Sequence, residues 1–364
     1  MAGLRKLSIL QCLLAAHFVL AAALLALLPV AKASSLSSFW HHELPLTSIP
    51  DALQKLASPL SARLTRHYLT QLKAGTLKAS QSGFCSSAGI YCSQKATPIS
   101  TPITTPITGL PPGVQPRVCV PPFFFYEYGV LRCRQHGASR STASAVQLSS
   151  SIFFAQDSLT VGKVVQLPDT SNDLKGLRFL PHSLAKALPK LNEGNKQALA
   201  EFYGVAKGSD MEFDMVDTLA HCAYKSEHEL KACLTSGEGM VSFIAKAVGH
   251  KAVVYAPGAV AMQEAQVIDV KVVSSKGSRV ASCHDMKFPS LLYSCHMTKT
   301  SELIDVSVKL ADGHVAHMPA ICHMDTSYWN PSHIAFQVLN VEPGKTSICH
   351  WLPQNSFVFV QGTN

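Results

Sequence analysis

The chain has 364 residues, of which 47% are hydrophobic and 15% charged, and its formal net charge is +8. No run of Lys and Arg is interleaved with aromatic residues, which speaks against a nucleic-acid-binding protein. After residue 30, no segment reaches the length of about 18 uninterrupted apolar residues that a membrane span needs. We therefore expect no membrane span in the mature chain.

The N-terminus has the pattern of a secretory signal peptide. Arg5 and Lys6 precede an apolar run over residues 7–30, and Ala31-Lys32-Ala33 supplies small residues at a cleavage position. This pattern predicts removal of residues 1–33 and secretion into the extracellular space. The alternative is an uncleaved membrane anchor, because the apolar run is long enough to cross a bilayer.

Secretion changes the charge balance and the chemistry expected of the cysteines. Without the signal peptide, 28 basic and 23 acidic residues remain, a net charge of about +5. This excess suits an acidic polysaccharide or an anionic surface, or equally an ordinary solvated surface. Ten cysteines remain once Cys12 is removed, and in an oxidising compartment their even number favours disulfides over thiolate metal ligands.

Residues 34–150 are rich in Ser, Thr, Pro and Gly and read as a variable region and linker. A helical pattern over residues 51–72 is interrupted by Pro59, and the remainder predicts loop. Three Thr-Pro-Ile triplets over residues 97–107 predict an extended spacer. An aromatic cluster over residues 123–128 contains Tyr126 and Tyr128, and we interpret it as a packing or interaction patch that is open to oxidative modification.

Four cysteines of this region, Cys85, Cys92, Cys119 and Cys133, pair most easily with their nearest neighbours, Cys85 with Cys92 and Cys119 with Cys133. The two other pairings stay open.

Residues 151–364 predict one α+β domain, with helices first and a largely antiparallel sheet after them. Two short strands are expected around Gly162, and Cys222 and Cys233 are expected to form a disulfide. Thr235 and Glu238 form a capping-box pattern. Helices are predicted over residues 184–191, 196–205, 211–224 and 240–248. Strands are predicted over residues 252–255, 266–274, 279–284, 291–296, 302–310, 314–323, 334–341 and 357–361.

Four Cys-His dipeptides stand out in the second half of this domain. They are separated by 10, 25 and 25 residues, whereas the composition predicts roughly half of one such pair by chance. The dipeptides are Cys283-His284, Cys295-His296, Cys322-His323 and Cys349-His350.

Strand geometry gives the two residues of each dipeptide different surroundings. If the first two dipeptides lie on a hairpin turning near Pro289, Cys283 and Cys295 become approximate cross-strand neighbours, and His284 and His296 project from the opposite face. The later dipeptides can repeat this arrangement. Cysteines could then crosslink the strands while four imidazoles bind copper or zinc.

An alternative interpretation is that the cysteines form structural disulfides and the histidines only pack beside them. His333 is a further candidate ligand, and His314 and His317 are candidates that we interpret as surface residues. We expect no special role for His221 and His228.

The dipeptide spacing resembles the signature of the plant BURP-domain family. Further segments are similar to that family: Ile152-Phe153-Phe154, the Cys222 and Cys233 pair, Tyr293-Ser294-Cys295-His296, and residues 322–339. Residues 39–42, Phe-Trp-His-His, also resemble a segment that follows the signal peptide in the family. The resemblance covers about residues 151–364 and implies a disulfide-stapled BURP domain.

The resemblance implies two kinds of function. Some members of the family are cell-wall proteins or stress- and development-associated proteins, and others are copper-dependent cyclases that crosslink a Tyr or Trp side chain of a peptide, usually in their own N-terminal half. Carried over, His284, His296, His323 and His350 would hold copper. The chain has neither the repeated core peptide of the cyclases nor the tandem repeats of the polygalacturonase-subunit type, so its subclass stays unassigned.

Overall fold

Two antiparallel sheets form the framework of the domain. The computed structural model describes residues 36–80, 83–92, 152–274, 277–329, 331 and 334–362. The six-stranded sheet has the strand order β1-β10-β9-β8-β5-β2, and the five-stranded sheet has the order β3-β7-β6-β11-β4. The strands are β1 Phe153–Phe154, β2 Val164–Leu167, β3 Glu229–Leu234, β4 Ala252–Tyr255, β5 Gln263–Val272, β6 Val280–Met286, β7 Leu292–Thr298, β8 Ser301–Leu310, β9 Val315–His323, β10 Ile348–Trp351 and β11 Phe357–Gln361.

Helices precede most of the strands and cover the five-stranded sheet. They are α1 Leu36–Glu43, α2 Asp51–Gln54, α3 Ala62–Lys73, α4 Phe84–Ala88, α5 His182–Ala187, α6 Lys196–Tyr203, α7 Asp210–Ala223, α8 Gly237–Ala247 and α9 Ile334–Leu339. The predicted α+β class, with helices and antiparallel sheets held by disulfides, is confirmed. None of the helices in the described ranges is long and apolar enough to cross a bilayer.

Strand β6 is buried along its whole length, because both faces of the five-stranded sheet are covered. One face packs against α1 and α8 in a core that includes Trp40, Ile244 and Tyr293. The opposite face meets a second helical core at one end, through Met286, and a layer between the sheets at the other, through Val280. A third core, around the disulfide-bonded Cys322 and Cys349, lies on one face of the six-stranded sheet.

The segment after the predicted signal peptide is part of the first core. Trp40 is fully buried, its indole Nε1 donates a hydrogen bond to the Thr47 carbonyl at 2.8 Å, and its ring contacts Phe359. Leu44 and Leu53 are also fully buried. The loop predicted before residue 51 is therefore wrong at residues 36–43, where an amphipathic helix forms because its apolar side chains reach the sheet.

Several element predictions are confirmed and others are wrong. The two strands around Gly162 are present, and so is the β6–β7 hairpin. The strand predicted over residues 334–341 is wrong, because α9 buries Ala335 and Phe336 and ends at Leu339, just before Asn340, whose φ is 52°. Strand β3 was not predicted, and β10 was expected only as a strand carrying Cys349-His350 in a repeat of the first hairpin arrangement, without predicted bounds. Short, half-polar sequences such as Ile348–Trp351 lack the alternation that marks a strand in isolation.

The start of α8 differs from the predicted capping box. Ser236 is the N-cap residue, and its Oγ accepts a hydrogen bond from the Gly239 N–H at 3.2 Å. The prediction that Thr235 and Glu238 form this cap is wrong by one residue. Gly at the third helical position has no side chain to reach back, so only half of a capping box is made.

Candidate metal centre

The four Cys-His dipeptides lie on two pairs of adjacent strands. Cys283 faces Cys295 across β6 and β7, and Cys322 faces Cys349 across β9 and β10. Both pairs are disulfide-bonded, with Cα–Cα distances of 4.0 and 3.9 Å. Residues paired across antiparallel strands point to the same face, and neighbours along a strand point to opposite faces. Each disulfide therefore faces its own core, and each histidine faces away from it.

The histidines of both strand pairs meet between the two sheets. Their imidazole ring centroids are separated by 5.5 Å for His284–His296, 6.0 Å for His284–His350, 6.4 Å for His296–His323 and 5.7 Å for His323–His350. Three of the side chains are buried, and His350 is half-buried. Residues that are 66 positions apart in the sequence, His284 and His350, thus become neighbours in one ring of imidazoles.

The Nδ1 atom of each imidazole lies against a group of the protein. His284 Nδ1 is 3.3 Å from the Ser356 hydroxyl, and His323 Nδ1 is 3.1 Å from the Ser301 hydroxyl. The other two contact acceptors. His350 Nδ1 is 3.2 Å from the Trp351 carbonyl oxygen, and His296 Nδ1 is 2.9 Å from Glu229 Oε1.

These contacts determine which ring nitrogen is available for a ligand. A carbonyl oxygen can only accept, so Nδ1 of His350 carries the proton in its contact with Trp351, and the carboxylate 2.9 Å from Nδ1 of His296 favours the same tautomer there. Nε2 is then left with its lone pair in the neutral ring. The Nε2 atoms of His284, His296 and His323 are buried. This pattern, in which one imidazole nitrogen is fixed by the protein, is typical of metal-binding histidines.

The donor set fits copper or zinc, but the rings are spaced more widely than in a closed site. Four imidazoles bound to one ion at about 2.0 Å have centroids about 5 Å apart in a tetrahedral arrangement. Within the described ranges, no group of three or more His, Cys, Asp or Glu side chains has the spacing of a metal site. Binding by all four histidines would therefore require small changes in their side-chain torsion angles.

The loop that joins the two sheets supports one of the imidazoles. Thr298 ends β7 in one sheet and Ser301 begins β8 in the other, and their hydroxyls are hydrogen-bonded at 2.5 Å. Ser301 in turn contacts His323. A chain of hydroxyls thus runs from the hairpin of His296 to the strand of His323 and couples the two sheets beside the imidazoles.

Aromatic side chains border the imidazoles on the side of the six-stranded sheet. The Trp329 ring lies edge-on to His323, with centroids 5.0 Å apart, and Phe153 lies edge-on to His350 at 6.3 Å. Phe153 lies two positions after residues 93–151, which are outside the described part of the chain. The long segment that carries Tyr126 and Tyr128 therefore joins the domain next to His350.

A second buried polar group lies on the cysteine face of β6. Asn172 Nδ2 donates a hydrogen bond to Asp285 Oδ1 at 2.7 Å, and the Tyr293 hydroxyl donates to the Asn355 carbonyl at 2.7 Å. Burial raises the pKa of Asp285 to about 7, and the hydrogen bond from Asn172 opposes that rise. Burial also raises the pKa of Tyr293. Because side chains alternate along a strand, Asp285 points away from the imidazoles.

The remaining sequence candidates lie elsewhere. His314 and His317 are exposed on the β8–β9 hairpin, each beside an aspartate, as expected for surface residues. His221 is buried and hydrogen-bonded to Ser294 at 2.8 Å, and His228 stacks on Tyr328 at 4.5 Å. His333, Tyr126, Tyr128, Cys119, Cys133 and the signal-peptide residues lie outside the described residues.

The described residues contain two further disulfides. Cys222 at the end of α7 is bonded to Cys233 in β3, and Cys85 is bonded to Cys92.

The contact of Glu229 with His296 was not predicted from the sequence. A glutamate four residues before a cysteine carries no recognisable signal, because β3 itself was not predicted.

Comparison with known proteins places this arrangement in a family. Residues 152–361 match the family model described as the BURP domain. BURP domain-containing protein 3 of Oryza sativa subsp. japonica is 35% identical over 218 residues, which are 58% of this chain and 50% of the relative. BURP domain-containing protein 5 of the same organism is 33% identical over 58% of this chain and 66% of the relative. Polygalacturonase 1 beta-like protein 3 of Arabidopsis thaliana is 32% identical over 56% of this chain and 33% of the relative. The chain thus spans between a third and two thirds of the length of these relatives.

Proposed function

This chain belongs to the BURP-domain family of plant proteins, and from that premise we propose that it is a secreted protein that binds copper through His284, His296, His323 and His350. The observation that carries the proposal is the ring of four imidazoles whose Nδ1 atoms all contact protein groups. Imidazole ligands suit copper, and the disulfides keep the adjacent sulfur atoms out of reach as thiolate ligands.

Competition between the protein and a copper chelator of known affinity tests this proposal. We expect one copper ion per chain and a loss of affinity of at least about 10-fold in His323→Ala, because a ligand is removed. His317→Ala is the matched control, since His317 lies on the same strand, β9, but is exposed to solvent. Equal copper affinity of the parent and the His323→Ala protein would contradict the proposal.

We further propose a role in the cell wall, with an association with stress or development as the wider setting. Support comes from the resemblance to wall proteins, from a relative that carries polygalacturonase in its name, and from the mild basic excess of the chain. Binding of the purified protein to pectin, compared with neutral cellulose, tests the wall interaction, and a fluorescent fusion followed in plasmolysed cells tests secretion. Retention of the fusion inside the cell would exclude this role.

The second candidate is a copper-dependent oxidative cyclase that acts on its own N-terminal region or on a separate peptide. The position of Phe153 beside His350 favours it, because the chain enters the domain next to the imidazoles. Tyr128 precedes Ile152 by 24 residues, and that length of chain extends to about 80 Å at most, so the tyrosine can reach the centre.

The cyclase reaction is a two-electron oxidation of the peptide. A bond forms between the aromatic side chain and a nearby carbon or nitrogen, two hydrogens are lost, and dioxygen accepts the two electrons and two protons to give hydrogen peroxide. Copper, when bound, supplies the one-electron redox chemistry. The described residues hold the imidazoles in place and bring the tethered segment to them.

Peptide mapping by mass spectrometry separates the two candidates. The copper-loaded protein is incubated in air, and its peptides are compared with those of the His323→Ala protein. Loss of two hydrogens from the peptide that carries Tyr126 and Tyr128, seen only in the parent, would establish the cyclase. An unchanged map in a protein that binds copper would leave the first candidate.

A further inference from the structure

One of the four imidazoles differs from the others in the group that holds it. The Nδ1 partners of His284 and His323 are hydroxyls, and that of His350 is a backbone carbonyl. His296 Nδ1 lies against a carboxylate instead, that of Glu229, at 2.9 Å. The side chains of His296 and Glu229 are only 3% and 7% exposed. This pair is therefore shielded from water and salt, unlike the exposed His–Asp pairs of the β8–β9 hairpin.

The backbone holds the carboxylate in this place. Glu229 is the first residue of β3 and faces Thr298 across β7, so its side chain begins one strand away from His296. A bridge between Ser226 and Glu229 closes the turn that precedes the strand. Residue 231 of β3 faces His296 directly, and residue 229 lies on the same face, because side chains two apart along a strand share a face.

Chemistry gives the carboxylate two effects on the neighbouring imidazole. At 2.9 Å from Nδ1 it favours the tautomer with the proton on that nitrogen, which leaves the lone pair of the neutral ring on Nε2. It also places one negative charge next to a centre whose other donors are neutral, and this charge partly offsets the positive charge of a bound dication. The Trp351 carbonyl has the first effect, and the hydroxyls have it when they accept, but none of these neutral groups has the second.

We propose that Glu229 is a positioning residue of the metal centre, which fixes the ring nitrogen of His296 and adds one negative charge beside a bound divalent copper ion. The second part rests on the proposed copper binding, whereas the first part concerns the metal-free protein. Two measurements therefore separate a failure of this inference from a failure of the proposed function.

The first measurement is nitrogen NMR of the histidine rings in the metal-free protein at about pH 8, where ordinary imidazoles are neutral. We expect the His296 proton on Nδ1 in the parent and in Glu229→Gln, since an amide oxygen still accepts a hydrogen bond. In Glu229→Ala we expect a mixture of the two tautomers. An unchanged His296 tautomer in Glu229→Ala would overturn the positioning role, whether or not the protein binds copper.

The second measurement is copper affinity by chelator competition. We expect a loss of about 10- to 100-fold in Glu229→Ala, the range found when an outer-shell carboxylate is removed, and a smaller loss in Glu229→Gln. Glu227→Gln is the matched control, because it removes the same charge two residues away from an exposed position. Equal losses in Glu227→Gln and Glu229→Gln would show a general charge effect and overturn the proposal.

Glu229→Gln keeps the size of the side chain, so its result stands even if Glu229→Ala unfolds. The absorption and electron paramagnetic resonance spectra of the copper-loaded Glu229→Gln protein give a readout that a purely structural role would not move. We expect altered copper parameters at unchanged thermal stability. Spectra identical to those of the parent, together with an unchanged affinity, would contradict the charge effect.

Discussion

The ring of Trp40 lies against the ring of Phe359, with centroids 6.1 Å apart, so the beginning of the described chain packs against its last strand. Trp40 is fully buried in a core that also contains Ile244 and Tyr293. We expect Trp40→Ala to lower the free energy of unfolding by about 3–5 kcal/mol, the usual range for removing a large aromatic side chain from a core. Urea unfolding measures this change. Leu46→Ala, at a position that is 70% exposed, is the control and should have little effect. A small effect of Trp40→Ala would show that α1 is not part of the folded core.

Cutting the chain between residues 93 and 151 should leave its two parts associated. The disulfide Cys85–Cys92 lies before this segment, and the described disulfides of the domain lie after it, so the described residues provide no covalent link between the parts. Burial of Leu44, Leu53 and Phe84 would hold them together without one. A protease site placed at residues 101–106 allows the test by size-exclusion chromatography and non-reducing denaturing gels. The Trp40→Ala protein, cut in the same way, should release its N-terminal part more readily. Separate elution of the two parts of the parent would show that residues 36–92 do not dock stably.

Replacing Cys283 and Cys295 together by Ser should reduce both stability and copper affinity. The bond joins cysteines that are 12 residues apart, and a disulfide that closes a loop of this size contributes about 3 kcal/mol to the free energy of unfolding. Because His284 and His296 directly follow these cysteines, loosening the pair should also disturb the imidazoles.

The double replacement of Cys222 and Cys233 is the matched control, with a sequence separation of 11 residues. These cysteines pack in the helical core, so we expect a similar loss of stability with little loss of copper affinity. Thermal unfolding and chelator competition on both proteins make the comparison. Equal copper affinity in the two double variants would show that the cysteine pair does not support the imidazoles.

The free energy of unfolding should decrease when the pH is lowered, and part of this decrease should depend on His182. Its Nδ1 is 2.9 Å from the hydroxyl of Ser236, which also caps α8 by accepting from Gly239. Burial, assisted by the charge of Lys186, lowers the pKa of His182 in the folded protein. Because the pKa of His182 is lower in the folded protein, the unfolded chain takes up the proton more readily. The contribution of neutral His182 to the free energy of unfolding is therefore fully present above the ordinary pKa of about 6.5 and is lost as the pH falls below it.

The variant His182→Asn keeps a polar atom near Ser236 and cannot be protonated. Relative to this variant, the parent should lose stability between about pH 7 and pH 5. Urea unfolding at both pH values measures the difference, with His314→Asn, at an exposed position, as the control. A difference between parent and His182→Asn that is the same at both pH values would contradict the assignment.

The sequence predicted the features that depend on local patterns. Alternation along β6 and β7 was enough to place Cys283 opposite Cys295 and to turn the histidines to the other face, and the pairing of the strands confirms both. The helix at residues 334–339 was misread because Ile334, Phe336 and Val338 alternate as in a strand. Ala335 and Phe336 are buried against neighbouring elements, and this packing favours a helix over a strand. Such packing depends on residues far away in the sequence, so the local pattern does not show it.

The assembly of the four imidazoles depends on contacts between the two sheets. The repeated dipeptide suggested that Cys349 and His350 lie on a strand paired like the first hairpin, and β10 pairs with β9 in this way, but the residues around them show no alternation that gives the bounds of the strand. The pairing of Glu229 with His296 depends in turn on β3 docking at the edge of β7. Long-range strand pairing is therefore the information that the sequence withholds at this centre.

The direct facing of Cys283 and Cys295 also limits how these strands can change in evolution. Loss or gain of one residue within β6 would exchange the two faces, because side chains alternate with a period of two. The imidazole of His284 would then point into the apolar core, and the side chain of Cys283 would point toward the other three imidazoles between the sheets. We therefore expect evolution to tolerate insertions and deletions in the turn between the strands and to select against them within the strands. The spacing between the dipeptides should then vary only where the turns change in length.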